Sequence, residues 1–213
     1  YPLQKAEALS SFEAGYKGLL LNSKLLIDLY GYYGNYTDFT GRITVAQSKS
    51  GNPIVAADAD TGQIYSVPVN YENKIKTYGF GLGVDYRLPH NFTVGANFAS
   101  DNLDVPAGLT ANFNSPKYKA NASFGNTGFG KNNRYGFNFV YRWQDRFYFE
   151  GDLANGFVNS VQTLDGQFSY KFPTSKSILK IGATNLLNQY YYNAVGNSYV
   201  GGLYYVSFVY NIY

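Results

Sequence analysis

Residue types able to do chemistry are few in this chain, and they stand far apart. Its 213 residues include no Cys, no Met and one His, which removes thiolate nucleophiles and most zinc-ligand sets. That imidazole, His90, stands in a Pro89-His90-Asn91 turn without a neighbouring ligand or base, so it reads as an exposed turn residue. Asp58-Ala59-Asp60-Thr61-Gly62 has the form of the start of a calcium loop, where alternate oxygens wrap the ion and Gly permits the turn. The third acidic ligand and the distal Glu are lacking, so Asp58 and Asp60 are weak metal candidates and a solvated turn is the plainer reading. No Ser/His/Asp, Cys/His or paired-carboxylate set stands out, and neither a catalytic residue nor a cofactor is expected.

The chain is rich instead in aromatic rings, with 23 Tyr and 16 Phe. Tyr30, Tyr32 and Tyr36, with Tyr65 and Tyr71 further on, are candidates for stacking on a ligand. Bracing of loops or a belt at a lipid interface accounts for them equally well. Trp143 reads as an interface anchor.

Composition narrows the elements that position these rings. A net charge of +3 without a Lys/Arg block leaves no footprint for nucleic acid. A helical membrane span needs about 18 consecutive apolar residues, and the best run, Leu19 to Leu29, is interrupted by Asn22, Ser23, Lys24 and Asp28. A mean hydropathy of −0.27 beside 19% aromatic residues fits strands that hide apolar residues at every second position. The chain opens YPLQKAEALS without an initiator Met, so a processed or incomplete protein is expected.

Period-two alternation runs through most of the sequence. Phe12, Ala14 and Tyr16 oppose Glu13, Gly15 and Lys17; Leu25, Ile27 and Leu29 oppose Asp28, Tyr30 and Tyr32. Tyr78 to Leu88, Phe92 to Phe98, Tyr118 to Phe124, Leu164 to Phe172 and Tyr204 to Ile212 repeat the pattern, and Ile178 to Leu187 forms a further strand. Tyr135 to Leu153 keeps its apolar phase through Gln144-Asp145-Arg146 and reads as one strand of about 60 Å, its outer part clear of a hydrocarbon core of about 30 Å. Asp145 is the only charge found on the apolar phase; a Lys or Arg there at midplane would cost about 2 to 4 kcal/mol. Phe39 to Ile75 reads as a long Gly, Asp, Asn and Ser-rich loop.

These observations predict an all-β, antiparallel transmembrane barrel wall of about nine strands spanning residues 1–213. Long connections at Phe39 to Ile75, Asp101 to Ser115, Ala154 to Ser160 and Asn188 to Val200 fall on one side. Short turns near Asn22, Pro89, Thr127 and Thr174 fall on the other, the asymmetry of bacterial outer-membrane barrels. Since single-chain barrels of that kind have an even number of strands, the chain is expected to be part of a larger barrel. Glu13, Lys17, Asp28, Asp85, Arg87, Lys117, Lys119, Arg142, Glu150, Asp152, Asp165 and Lys171 are expected on the lumen face.

The stretch LKIGATNLLNQYYY at Leu179 to Tyr192, followed by a loop and an aromatic last strand, resembles the C-terminus of TonB-dependent outer-membrane receptors. AEALSSFEAGYKG, IDLYGYYGNYTDF, NSPKYKANASF and FNFVYRWQDRFYFEGDL resemble late strands of the family, in family order, with a Bacteroidetes-like flavour. The resemblance implies the last nine strands of a plugged barrel of about 22, with the N-terminal plug and earlier strands outside this chain. It implies Gram-negative outer-membrane lipid, an inner-membrane energy-coupling protein reached through the plug, and a scarce small-molecule nutrient such as an iron chelate or cobalamin as partners. In that family the apolar phase ends on the terminal aromatic, whereas here Tyr213 falls on the other face from Ile212. Two other readings predict different chemistry: a small standalone porin-like barrel, or an enzyme or adhesin anchored by a barrel with Phe39 to Ile75 as its working loop.

Overall fold

The computed structural model describes residues 4–51, 59–151 and 154–210. Among them lie thirteen strands: β1 (Ala8–Leu20), β2 (Leu25–Thr37), β3 (Phe39–Ser48), β4 (Ala59–Tyr71), β5 (Ile75–Arg87), β6 (Phe92–Leu103) and β7 (Tyr118–Phe129), followed by β8 (Tyr135–Gln144), β9 (Phe147–Phe149), β10 (Gly156–Val158), β11 (Val161–Phe172), β12 (Ser177–Thr184) and β13 (Leu203–Tyr210). Nine form one antiparallel sheet in the order β1-β2-β5-β6-β7-β8-β11-β12-β13, with β1 and β13 at its edges.

Directly paired residues of an antiparallel ladder share a face, so the register turns the alternation within each strand into bands across the sheet. Tyr16 pairs with Leu29, Leu29 with Leu82 and Leu82 with Phe98, and this band is the apolar one. Phe12 is 72% exposed and Val206 70% exposed on it, a surface that hydrocarbon solvates and water does not. One residue along, Lys17, Asp28, Gly83, Asn97, Asn121, Arg142 and Thr163 are joined by the register into a polar band across seven strands. That face is the lumen side.

The four short turns share one end of the sheet. Asn22, Asn91, Asn132 and Asn133 adopt left-handed backbone there, with φ between 51° and 63°, a conformation that Asn tolerates better than most residues. His90 has φ 58° in the second turn, where Leu88 N–H bonds Phe92 O at 2.9 Å; its place is that of a turn residue. The third turn lies at Gly130 to Asn133 and not near Thr127, because β7 continues through an irregularity between Asn126 and Phe129.

At the other end the structure corrects two expectations. Phe39 to Ile75 is not a plain loop: β3 and β4 pair from Phe39↔Tyr71 to Ser48↔Ala59 as a separate hairpin. Its Gly, Asp, Asn and Ser content masked alternating Ile43, Val45, Val67 and Val69. Tyr135 to Leu153 counts once in the wall, as expected, but is not one strand. The last bond to the neighbouring strand is Asp145 N–H to Tyr118 O at 2.9 Å, and Arg146 N–H turns to the Asp145 carboxylate at 2.8 Å, a local side-chain bond that competes with the ladder. Phe147–Phe149 then pairs with Gly156–Val158 in a small outer hairpin. β12 ends at Thr184, three residues before the expected Leu187.

The buried core sits above the sheet. Phe39, Ile75 and Leu109 are buried against one another, with Tyr36, Ile43, Val69, Tyr71 and Leu103 packed around them. Glu150 ties a neighbouring loop to this cap: its carboxylate accepts from Ala111 N–H at 3.0 Å and Asn112 N–H at 2.7 Å. Asn114 adds a reciprocal pair of bonds to the Glu150 backbone. Glu150 therefore serves the loops and not the luminal wall, a correction to its expected place. Asp152, Ile212 and Tyr213 lie outside the described residues.

Candidate ligand-contact wall

The five candidate tyrosines do not converge. Tyr30 and Tyr32 lie together on the lumen face of β2, where their partners across the ladder are Gly81 and Gly79 of β5. A Cβ at either glycine would collide with the facing tyrosine ring, so the G-x-G alternation in β5 is a trough in which two rings lie against the wall. Tyr32 Oη donates to Asp101 Oδ1 at 3.0 Å, and Lys119 Nζ stands 3.4 Å from Asp101 Oδ2. A phenol, a carboxylate and an ammonium are thereby linked across β2, β6 and β7.

Tyr36 and Tyr71 belong to the cap. Tyr36 meets Phe39 edge to face at 5.3 Å, and both tyrosines pack against the buried cluster. Tyr65 sits on the β3–β4 hairpin, 49% exposed, its hydroxyl bonded to Gln63 at 3.0 Å. Asp60 lies on β4 opposite Gln47, while Asp58 is outside the described residues. Among the described residues no group of three or more His, Cys, Asp and Glu is placed to hold a metal.

Below the two tyrosines the lumen face opens into a concavity of 590 Å³ lined by Lys17, Asp28, Tyr30, Asp85, Asn97 and Arg142, among others. Its charges are largely matched. Lys17 and Asp28 pair at 2.7 Å, Arg142 and Asp165 at 2.8 Å, and Asn121 donates to Asn97 at 2.8 Å. Asp165 has a second duty: its other oxygen accepts from Asn185 N–H at 2.9 Å. The buried Asn185 side chain bonds both the carbonyl and the N–H of Gln189, and Asn188 Oδ1 accepts from Gly202 N–H at 2.7 Å. The N-L-L-N run at Asn185 to Asn188 is thus a loop clasp joining the exit of β12 to β11 and to the entry of β13.

Sequence reasoning placed Lys119, Arg142 and Asp165 on this face but missed Asp101, which it assigned to a loop, and the clasping role of Asn185. The signal for Asp101 was available: it keeps the polar phase of Asn97 in β6. The bond from Asn185 to Asp165 carries no such signal, since the two become neighbours only through the pairing of β11 with β12.

An open sheet with a lipid-solvated outer band and a hydrogen-bonded lumen band, long connections at one end and turns at the other, defines a wall of a transmembrane β-barrel. Residues 3–186 match the family described as TonB dependent receptor-like, beta-barrel. The chain belongs to that family, one of receptors and not of enzymes, whose barrels stand in the Gram-negative outer membrane. Solved structures with the same fold include the pyoverdine outer-membrane receptor FpvA from Pseudomonas aeruginosa PAO1, bound to pyoverdine, with 15% identity and a TM-score of 0.68 over 99% of this chain and 30% of that one. The siderophore receptor PirA from Acinetobacter baumannii matches with 18% identity and a TM-score of 0.64 over 96% of this chain and 32% of that one. The copper transporter OprC has 13% identity and a TM-score of 0.68, over 97% and 31% respectively. The chain therefore spans about a third of the length of these structures. No curated relative is matched at the sequence level.

Proposed function

We propose that the chain forms the C-terminal part of the barrel of a receptor for TonB-dependent uptake of a scarce nutrient, such as an iron chelate or cobalamin. Earlier strands and a plug domain of the same receptor complete the lumen and carry the contact with the energy-coupling protein. The family match supports this reading, as do the siderophore and copper roles of the structural neighbours. Tyr30 and Tyr32 contribute ligand contacts from the lumen wall and Tyr65 from the hairpin, while Tyr36 and Tyr71 brace the loops from within the cap.

The observation that carries the site assignment is the pair of half-exposed rings laid over the Gly79–Gly81 trough, held by Asp101 and Lys119. Such a wall offers flat π-faces, one carboxylate and one ammonium; it suits binding and supplies no activated nucleophile. The test is uptake by cells expressing the full-length receptor, measured over a panel of labelled iron chelates and cobalamin. Tyr30→Ala with Tyr32→Ala is expected to lower uptake of one panel member by about tenfold, the cost of losing one or two aromatic contacts. Unchanged uptake of every member that the wild type imports would overturn the site assignment. Uptake of every panel member equal to that of a strain lacking the receptor would count against the nutrient reading itself.

A further inference from the structure

The outer face carries a second recess, on the side away from the lumen. On β5 the outward series from the turn end reads Tyr86, Val84, Leu82, Phe80, Tyr78, Lys76. Two tyrosines bracket an apolar stretch centred on Leu82, as aromatic girdles bracket the hydrocarbon layer. Lys76 lies six residues beyond Leu82. At about 3.3 Å per residue and a tilt of about 40° this is about 15 Å along the membrane normal, half of a core of about 30 Å. Lys76 thus stands at the level of the outer-leaflet headgroups.

There a recess of 680 Å³ is bounded by Tyr33, Lys76, Tyr78, Asn102, Lys117 and Tyr118. Register sets Tyr33, Tyr78 and Asn102 in one outward row, with Phe80, Ser100 and Tyr118 in the row below. Lys117, expected on the lumen face from its strand phase, instead reaches round to the outward ring of Tyr118, its Nζ 5.3 Å from the centroid, and borders this recess. Among the described residues neither Lys76 nor Lys117 is ion-paired. The Asp104 carboxylate on the rim lies within 3.5 Å of the Tyr78 hydroxyl, which donates to it, and Asn102 Nδ2 bonds Ser100 Oγ at 3.0 Å.

Two exposed ammonium groups, three tyrosine rings and an amide at this depth suit a ligand that is anionic, hydroxylated and anchored in the membrane. Phosphate takes up the ammonium groups, the rings pack against a sugar, and acyl chains run down over Phe80, Leu82 and Phe98. We propose that this recess binds the phosphorylated sugar headgroup of an outer-leaflet glycolipid, with Lys76 and Lys117 on the phosphate. The proposal depends on the outer-membrane placement of the wall and not on the uptake reading.

The full-length protein, extracted from native outer membranes in mild detergent, is delipidated and offered diphosphoryl lipid A or its dephosphorylated counterpart, and retained lipid is counted by native mass spectrometry. Wild type is expected to retain the diphosphoryl form about tenfold more strongly than the dephosphorylated one. Lys76→Gln with Lys117→Gln is expected to abolish that preference, while uptake and heat-modified gel mobility stay as in wild type. Equal retention of both lipids by wild type would overturn the proposal without any variant having to fold. A folded double variant that keeps the preference would also overturn it.

Discussion

The wall and the cap solve opposite problems with the same alternating strands. In the wall the large apolar residues point outward into lipid and the polar ones inward to a wet lumen, so among the described residues the nine-stranded sheet builds no buried apolar cluster below the cap. In the cap, the β3–β4 hairpin and the adjoining loops stand in water on both sides and must bury something. They do so with Phe39, Ile75 and Leu109, and Ile75 is only 1% exposed. Ile75 opens the wall strand β5, so the cap core is built on the upper margin of the barrel. The wall depends on ladders and solvent, the cap on packing, and substitutions should distinguish the two.

The largest expected effect is in the cap. Ile75→Ala removes a fully buried side chain and should cost about 2 to 5 kcal/mol of local stability, read as faster hydrogen exchange across 39–75 and 104–117 with the lower wall unchanged. Leu82→Ala, on the lipid face, should cost under about 1 kcal/mol, because acyl chains are as apolar as leucine and fill the space; a loss as large as that of Ile75→Ala would refute the contrast. Charge reverses the ranking on the same site. Leu82→Arg should cost about 2 to 4 kcal/mol in urea-driven refolding into liposomes, whereas Asn97→Arg, facing the lumen, should be nearly neutral.

Smaller effects sharpen the comparison at the joints. Asp165→Ala strands the Arg142 guanidinium and the Asn185 N–H together, and should cost about 1 to 2 kcal/mol, with exchange rising selectively in 185–202. Glu150→Ala releases two N–H groups of the loop at Ala111 and Asn112. It should cost about 1 kcal/mol confined to the cap, visible as local exchange at 104–117 and silent in the refolding assay.

Much of the wall was legible in the chain because side-chain period and solvent contrast coincide there. Tyr78 to Leu88 and Leu164 to Phe172 declare their faces residue by residue, so the number of wall strands and the ends at which long and short connections lie followed from the pattern, while the slip between Asn126 and Phe129 in β7 hid where the third turn falls. Register-dependent features did not follow. The trough under Tyr30 and Tyr32 needs β5 set against β2, and the Asp165–Asn185 clasp needs β11 set against β12; no local signal encodes either pairing. The hairpin over Phe39 to Tyr71 was obscured by the Gly, Asn and Ser that make good turns.

By itself the sequence determined which face of most wall strands meets lipid, because alternation is a local property that the solvent on either side enforces. Tertiary structure alone decided which tyrosines share a wall and which sink into the cap. Tyr32 and Tyr36 have the same strand phase, but one passes below the cap and meets Gly79 and Asp101, whereas the other reaches its level and meets Phe39. Height along the barrel, set by the ends of the neighbouring strands, separates them.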